Sequence, residues 1–275
     1  MGNRRLGRKR LESVLKQLDG TAADSSGSRA GAAGFQMPPW QLMPAKYYGF
    51  LDDFDSVNGN LGVAADGDMA QSSAVNQGVW RANIDGTSDA IALDNSAVGG
   101  ILNVTTGTSD NEETHLTAIN SGFAIDASNS RKLWMTTRFK VNDADLIGFF
   151  VGLCSDNGAE ETSVLTDGGG ATEDAIGAYM LDGSASVALT ALTAVGDSET
   201  TTSLDTDIAD GVFVTVSFYF NGSILEVYVN GAKKASISAN LPADGTILFP
   251  AIHAASRSGA SKILSVDYMV ICQER

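Results

Sequence analysis

The sequence predicts an all-β chain folded as a two-sheet antiparallel sandwich, and three observations carry that expectation. Residues 212–237, VFVTVSFYFNGSILEVYVNGAKKASI, read as three alternating strands punctuated by Asn221-Gly222 and Asn230-Gly231. Asn-Gly steps favour tight hairpins because both loop residues tolerate positive φ. The chain holds 30 glycines and few helical patterns, and its short apolar runs alternate with turn residues in the manner of a sandwich. No fixed internal period is present, which argues against a solenoid or propeller. At 275 residues the chain has the length for one large β domain, expected over 47–275, preceded by an arm over 1–46.

The arm has its own composition. Leu11, Val14, Leu15 and Leu18 recur at offsets of three, four and seven, which predicts a short helix ended near Asp19-Gly20. TAADSSGSRAGAAG follows as a linker with nothing to bury, and FQMPPWQLMP then gathers Phe35, Met37, Trp40, Leu42 and Met43 among three prolines. Prolines favour an extended path, and the bulky side chains need a surface. The residues expected to dock on a partner are Arg4, Arg5, Arg8, Arg10, Leu11, Leu15, Leu18, Phe35 and Trp40. A disordered basic tail is the plainer alternative for the same stretch.

The domain is expected to begin near Tyr47 or Tyr48. QGVWRANID and AIALDNSAVGGILNVTTGT supply early strands, and RKLWMTTRFKVND places Leu133, Met135, Thr137 and Phe139 on one face and Trp134, Thr136, Arg138 and Lys140 on the other. LIGFFVGLC is apolar on both faces and so predicts a central strand. AIGAYML is the next strand, and residues 195–210 read as a polar stretch. A two-residue loop at Asn221-Gly222 sets Phe218 opposite Leu225 and Val216 opposite Val227. At Asn230-Gly231 a three-residue loop is expected, which puts Lys233, Ala235 and Ile237 on the apolar face. In the closing SKILSVDYMVICQER, plain alternation puts Leu264, Val266, Tyr268, Val270 and Cys272 on one face.

The net charge of -15 hides an asymmetry: residues 1–20 hold six basic and two acidic residues, so the remainder holds twelve basic and thirty-one acidic, a net of -19. An acidic body makes nucleic acid an unlikely partner on charge grounds. No run reaches the ~18 apolar residues of a membrane-spanning helix, so no membrane span is expected. Nor does the start show the apolar core of a secretory signal. Cys154 and Cys272 are expected as buried free thiols, a disulfide being the alternative.

The order LWMTTRFKV, LIGFFVGLCSDNG, VFVTVSFYFNGSILEVYVNGAKKASI, ILFPAI and ILSVDYMVI resembles the concanavalin A-like jelly roll of legume lectins, laminin G-like modules and many glucanases. The fragment VYVNG followed by a lysine, and the closing VDY, carry the likeness. The Arg-rich start and Pro-rich arm ahead of such a sandwich also look like small virion proteins of tailed phages. That resemblance implies a capsid decoration subunit on the virion surface, partnered by the major capsid protein through the arm and assembled as a homo-oligomer.

Function remains open on one scaffold with many sites. Glucanases resembling this fold use Glu-x-Asp-x-x-Glu, and that spacing is absent here. Glu112-Glu113, Glu160-Glu161 and Glu173-Asp174 are adjacent pairs, expected to be solvated loop charges. His115 and His253 lie in no nucleophile motif, so no catalytic residue is assigned and a non-enzyme is expected. No metal ligand is assigned either. Oxygen-rich loops at Asp66 and Asp68, at Asp167 with Glu173 and Asp174, and at Asp205 and Asp207 have donors suited to Ca²⁺ without the twelve-residue helix-loop pattern. Trp80, Trp134, Tyr179 and Tyr228 are the candidates for stacking a sugar, core packing being the alternative. A glycan-binding host-attachment module is the second functional reading.

Overall fold

The computed structural model describes residues 47–54, 80–84, 89–94, 100–110, 112–118, 120–155, 171–181, 187–256 and 260–275. The expected arm, helix and Pro-rich segment lie outside these residues. The described chain is all strand and turn. Its strands are β1 (Tyr47–Asp52), β2 (Arg81–Ile84), β3 (Ala90–Leu93), β4 (Leu102–Thr105), β5 (Glu113–Thr117), β6 (Leu133–Val141), β7 (Ile147–Cys154) and β8 (Ala175–Met180). They continue with β9 (Ala188–Val195), β10 (Ser198–Asp207), β11 (Val214–Phe220), β12 (Leu225–Val229), β13 (Ala232–Ile237), β14 (Phe249–Ser256) and β15 (Ile263–Glu274).

Two antiparallel sheets form. The first has eight strands in the order β13-β12-β11-β6-β15-β4-β3, with β1 also paired to β15. The twelve residues of β15 make this possible, because Ile263 to Val266 pair with β4 while Met269 to Glu274 pair with β1. The second sheet has seven strands in the order β10-β9-β8-β7-β14-β5-β2. Alternation then divides the side chains. Met135, Phe139, Phe218, Phe220 and Ile271 of the first sheet meet Ile147, Phe149, Val151, Ile176 and Ile252 of the second in one continuous core. Phe139 and Phe149 touch edge to face across the sheets, with ring centroids 5.0 Å apart. Each fully buried phenylalanine of this kind stabilises the fold by about 2–3 kcal/mol.

The two faces of β6 follow the expected alternation, and β7 is central, paired to β8 and β14 and buried throughout. Both Asn-Gly turns differ from expectation. The β11–β12 connection is a four-residue loop, so Phe218 faces Val227 and Val216 faces Val229. Its cause is the Asn221 side chain, whose Oδ1 accepts hydrogen bonds from the backbone N–H of Ser223 and Ile224 at 3.1 and 3.0 Å, holding an Asx-type turn. At the second turn Asn230 and Gly231 both have positive φ, 50° and 82°, and Val229 faces Ala232 across a two-residue loop. The extra residue lies instead between the pairs Tyr228–Lys233 and Val227–Ala235. That bulge returns Ala235 and Ile237 to the core and leaves Lys233 outside.

A bulge also divides β15. The register shifts between Val266 and Tyr268, so Leu264, Val266, Met269 and Ile271 point inward and Tyr268, Val270 and Cys272 point outward. Residues 195–210, expected as a polar stretch, hold β10, an edge strand in which Ser198, Thr201 and Ser203 are exposed and Thr200, Thr202 and Thr206 half-buried. Cys154 and Cys272 are buried thiols not joined in a disulfide, on the outward faces of opposite sheets.

Candidate functional site

The outward face of the first sheet gathers aromatic and polar side chains across five strands. Register places Tyr219 of β11 beside Trp134 of β6, Trp134 beside Cys272 of β15, and Cys272 beside Gly49 of β1. The next row runs Tyr228, Ser217, Thr136, Val270 and Leu51. Trp134 stacks on Tyr219 with centroids 5.4 Å apart and meets the edge of Tyr47 at 6.1 Å. Trp134, Tyr228, Tyr268, Val270 and Cys272 form a buried cluster outside the main core, with Tyr47, Leu51 and Tyr219 half-buried against it.

Polar groups are threaded between the rings. Thr136 donates to Ser217 at 3.0 Å, Tyr228 donates to Glu226 at 2.5 Å, and Lys233 Nζ reaches Glu226 at 2.6 Å. Burial opposes ionisation of Glu226, yet the hydrogen bonds from Lys233 and Tyr228 win and hold its carboxyl below the ordinary value. Burial raises the phenol of Tyr228, and the adjacent Glu226 raises it further, so it stays a neutral donor. At the far end of the face Arg138 pairs with the buried Asp267 and lies over the Phe213 ring, 3.9 Å from its centroid. One group stands out: Trp134 is 4 % exposed, and its indole Nε1 has no hydrogen-bond partner. A buried donor left unmade costs about 1–3 kcal/mol.

The four sugar-stacking candidates do not form one platform. Trp134 and Tyr228 share this face, whereas Tyr179 lies outward on the second sheet. Trp80 packs against Phe50 and Phe54 beside the main core, and its Nε1 donates to Asp52 at 2.7 Å. Tyr47, Tyr219 and Tyr268 belong to the face and were not singled out from sequence. Tyr219 was legible, because it shares the outward parity of Thr215 and Ser217 in β11. Tyr268 was hidden by the β15 bulge. The arm candidates Arg4, Arg5, Arg8, Arg10, Leu11, Leu15, Leu18, Phe35 and Trp40 lie outside the described residues.

Of the carboxylates expected to be solvated, Glu112, Glu173 and Asp174 each accept a hydrogen bond. Glu173 accepts from Ser155 at 2.6 Å, Asp174 from the backbone N–H of Gly196 at 2.7 Å, and Glu112 from that of Ser109 at 2.8 Å. Glu173 and Asp174 fasten one segment to another, and Glu112 closes a local turn. Among the described residues no group of three or more His, Cys, Asp or Glu is placed to hold a metal ion. Asp66, Asp68, Asp167, Glu160 and Glu161 lie outside those residues. The two imidazoles, distant in sequence, are cross-strand partners on the second sheet, with centroids 6.0 Å apart.

No family model matches the chain, and no curated relative matches it. Solved structures do. A protein of unknown function from Shewanella oneidensis MR-1 superposes with a TM-score of 0.50 at 14% identity, covering 86% of this chain and 95% of that one. A prokaryotic β-1,3-1,4-glucanase (lichenase) from a mouse hindgut metagenome gives 0.50 at 13%, covering 81% and 98%. The carbohydrate recognition domain of Emp47p gives 0.48 at 12%, covering 67% and 88%. The architecture is a concanavalin A-like jelly-roll sandwich, as the sequence led us to expect. The expectation of a non-enzyme is corrected: a named glucanase shares this sandwich over nearly its whole length, so the fold does not set the chain apart from hydrolytic ones.

Proposed function

We propose that this protein is a glycan-binding sandwich and that the outward face of the first sheet is its ligand surface. The observation that carries the reading is the buried, unpartnered indole N–H of Trp134 among Tyr47 and Tyr219, with hydroxyl and charged groups alongside. A pyranose offers both complements, an apolar C–H face for the tyrosine rings and hydroxyl oxygens as acceptors for the indole. Glu226, Ser217, Thr136 and Lys233 supply further hydrogen bonds to ring hydroxyls. The resemblance to carbohydrate-recognising and glucan-hydrolysing sandwiches supports the class of ligand by analogy of fold.

A glycan array probed with the intact chain tests the reading, followed by titration of any hit. Tyr219→Ala is expected to weaken binding about tenfold or more, and Trp134→Phe, which keeps an aromatic ring but a smaller one and removes the N–H, about fivefold, in line with one stacking contact and one hydrogen bond. An array without hits, or affinities untouched by both substitutions, overturns it. Turnover of a bound polysaccharide would place the chain with the hydrolytic sandwiches.

A second reading is favoured by the charge asymmetry, a +4 start ahead of a -19 body. In it the sandwich is carried on a virion surface as a decoration subunit, with the basic arm meeting an acidic capsid protein and copies of the chain associating with one another. Loss of co-assembly when Arg4, Arg5, Arg8 and Arg10 are changed to Glu in the full chain would support it, and unchanged incorporation would remove it.

A further inference from the structure

The Asn-Gly steps that punctuate the hairpins carry a chemistry of their own. An asparagine followed by glycine is open to attack of the next backbone nitrogen on the side-chain amide, because glycine has no Cβ to hinder the approach. The chain holds four such steps, at 58–59, 157–158, 221–222 and 230–231, and the last two lie among the described residues. In sequence those two are equivalent; in the fold they are not. At the first, Asn221 Oδ1 accepts from the backbone N–H of Ser223 at 3.1 Å, the Ser223 hydroxyl at 3.2 Å and the backbone N–H of Ile224 at 3.0 Å. Gly222 is buried, and a Cβ placed on it would come 2.9 Å from Ser130 Cβ and 3.0 Å from the Ser130 carbonyl oxygen. The amide is held, and the backbone that would have to move is packed. At the second step, Asn230 Oδ1 accepts one hydrogen bond among the described residues, from the Thr215 N–H at 3.0 Å. Asn230 and Gly231 are both exposed, and a Cβ on Gly231 would meet nothing within 4 Å.

We propose that Asn230 is a site of spontaneous deamidation and isomerisation, and that the fold protects Asn221 from the same reaction. The Gly231 nitrogen gives its proton to hydroxide and forms a bond to Asn230 Cγ. The bond from Cγ to Nδ2 breaks, and Nδ2 takes a proton from water and leaves as ammonia, which restores the hydroxide. The five-membered succinimide then takes up one water. Opening between the nitrogen and Cγ gives Asp at position 230, and opening between the nitrogen and the main-chain carbonyl carbon gives isoaspartate, with the main chain routed through Cβ and Cγ. The balance is one water in and one ammonia out, with nothing oxidised or reduced. Either product places a new carboxylate at this turn, next to Thr215. Isoaspartate also adds one main-chain atom to the two-residue loop between β12 and β13. Strand β13 is the edge of its sheet, so the change loosens that edge and leaves the paired strands inside it in place.

The inference is independent of any glycan bound by the sandwich. Incubating the full chain in mildly alkaline buffer, followed by peptide mapping that resolves aspartate from isoaspartate, tests it. Conversion at Asn230 is expected to run about tenfold faster than at Asn221, where two more hydrogen bonds must break before the amide can turn. In urea, with both turns and the Ser130 contact gone, the two rates are expected to agree within about twofold, since the fold and not the Asn-Gly pair sets the difference. Asn230→Gln, whose longer side chain would have to close a larger ring, is expected to abolish conversion at that step in protein whose thermal unfolding remains cooperative. Conversion at Asn221 as fast as at Asn230 in the folded chain, or no conversion at Asn230, would overturn the proposal. So would a ratio that persists in urea, because it would trace the difference to the residues that follow the two glycines, Ser223 and Ala232, rather than to the structure around them.

Discussion

The outward faces of the two sheets are built on opposite principles. On the first, large amphipathic rings project and carry polar tips: Tyr47, Trp134, Tyr219, Tyr228 and Tyr268 with Ser217, Thr136 and Glu226 between them. On the second, side chains are pared down. Gly152 faces Gly177, with Ala175, Ala194 and Ala251 nearby, and the ring of Phe150 lies over the glycine pair. A large ring projecting from a sheet offers a partner something to touch, and a trough of glycine and alanine lets neighbours approach the backbone. The comparison teaches that parity alone does not set the chemistry of a face, since both faces are equally outward and one carries large amphipathic rings where the other carries glycine and alanine.

The largest consequence of the difference is expected in acid. His115 and His253 face one another on the second sheet, and His115 Nε2 shares a 2.7 Å hydrogen bond with the Thr117 hydroxyl. Burial holds His115 down to about 4; burial, together with the neighbouring imidazole, holds His253 down to about 3. Both are neutral in the folded protein at pH 7. Above the ordinary histidine value of about 6.5 neither state takes up a proton, so these residues cost nothing. Below it the unfolded chain binds protons that the folded chain refuses, and stability falls as the pH drops toward 4 and then 3. At about 1.4 kcal/mol per pH unit for each group the loss is on the order of several kcal/mol. Urea unfolding from pH 7 to pH 4 measures it. His115→Gln with His253→Gln should flatten the profile, and an unchanged slope would show that the second face does not hold its imidazoles neutral.

A smaller but sharper effect belongs to the glycine pair. A Cβ on Gly152 would come 2.3 Å from the Ile176 carbonyl oxygen and 2.6 Å from Gly177 Cα, both backbone atoms. One on Gly177 meets mainly the Phe150 ring, at 2.3 and 2.5 Å. Gly152→Ala is therefore expected to cost roughly 3 kcal/mol, because strands would have to part. Gly177→Ala is expected to cost less, and adding Phe150→Leu should recover more of that loss than it does for Gly152→Ala, where the Phe150 contact at 2.6 Å would be relieved but both backbone contacts remain. Equal rescue of both would mean that the ring, not the backbone, sets the spacing. A comparable substitution on the first face, Gly49→Ala, serves as the control.

Much of this architecture was legible before any coordinates. In β6 the alternation of Leu133, Met135 and Phe139 against Trp134 and Arg138 sorts core from surface because a pleated strand allows only two directions. What escaped was set by tertiary context. Strand β10 is polar because it is an edge, and its pattern of Ser and Thr resembles a loop until a partner strand is known. The bulges at Tyr268 and after Lys233 shift parity by one residue and carry no local composition signal. The Asn221 loop was misjudged because a side chain capturing two N–H groups competes with the hairpin turn that the Asn-Gly step otherwise favours. For the candidate site, Trp134 and Tyr228 were each visible as strand aromatics. Their meeting with Tyr47, 87 positions before Trp134, depends on β1 and β6 both pairing with β15, which no local pattern encodes.

The smallest expected effect returns to the first face and asks whether its charges hold the sheet together or serve a ligand. Lys233 Nζ lies 2.6 Å from Glu226, and the lysine side chain is 44% exposed. An ion pair so open to water contributes less than about 1 kcal/mol, since solvent screens the attraction and ordering the long side chain costs entropy. Lys233→Met keeps most of the aliphatic stem and removes the charge, so thermal unfolding should shift little at any salt concentration. The carboxyl of Glu226 would lose the strongest of the influences holding its pKa down, and the Tyr228 hydroxyl would remain its donor. Binding of a polar ligand on this face is then expected to weaken more than stability does. A variant whose unfolding shifts by several degrees while binding is untouched would assign the pair to the sheet and not to the surface it presents.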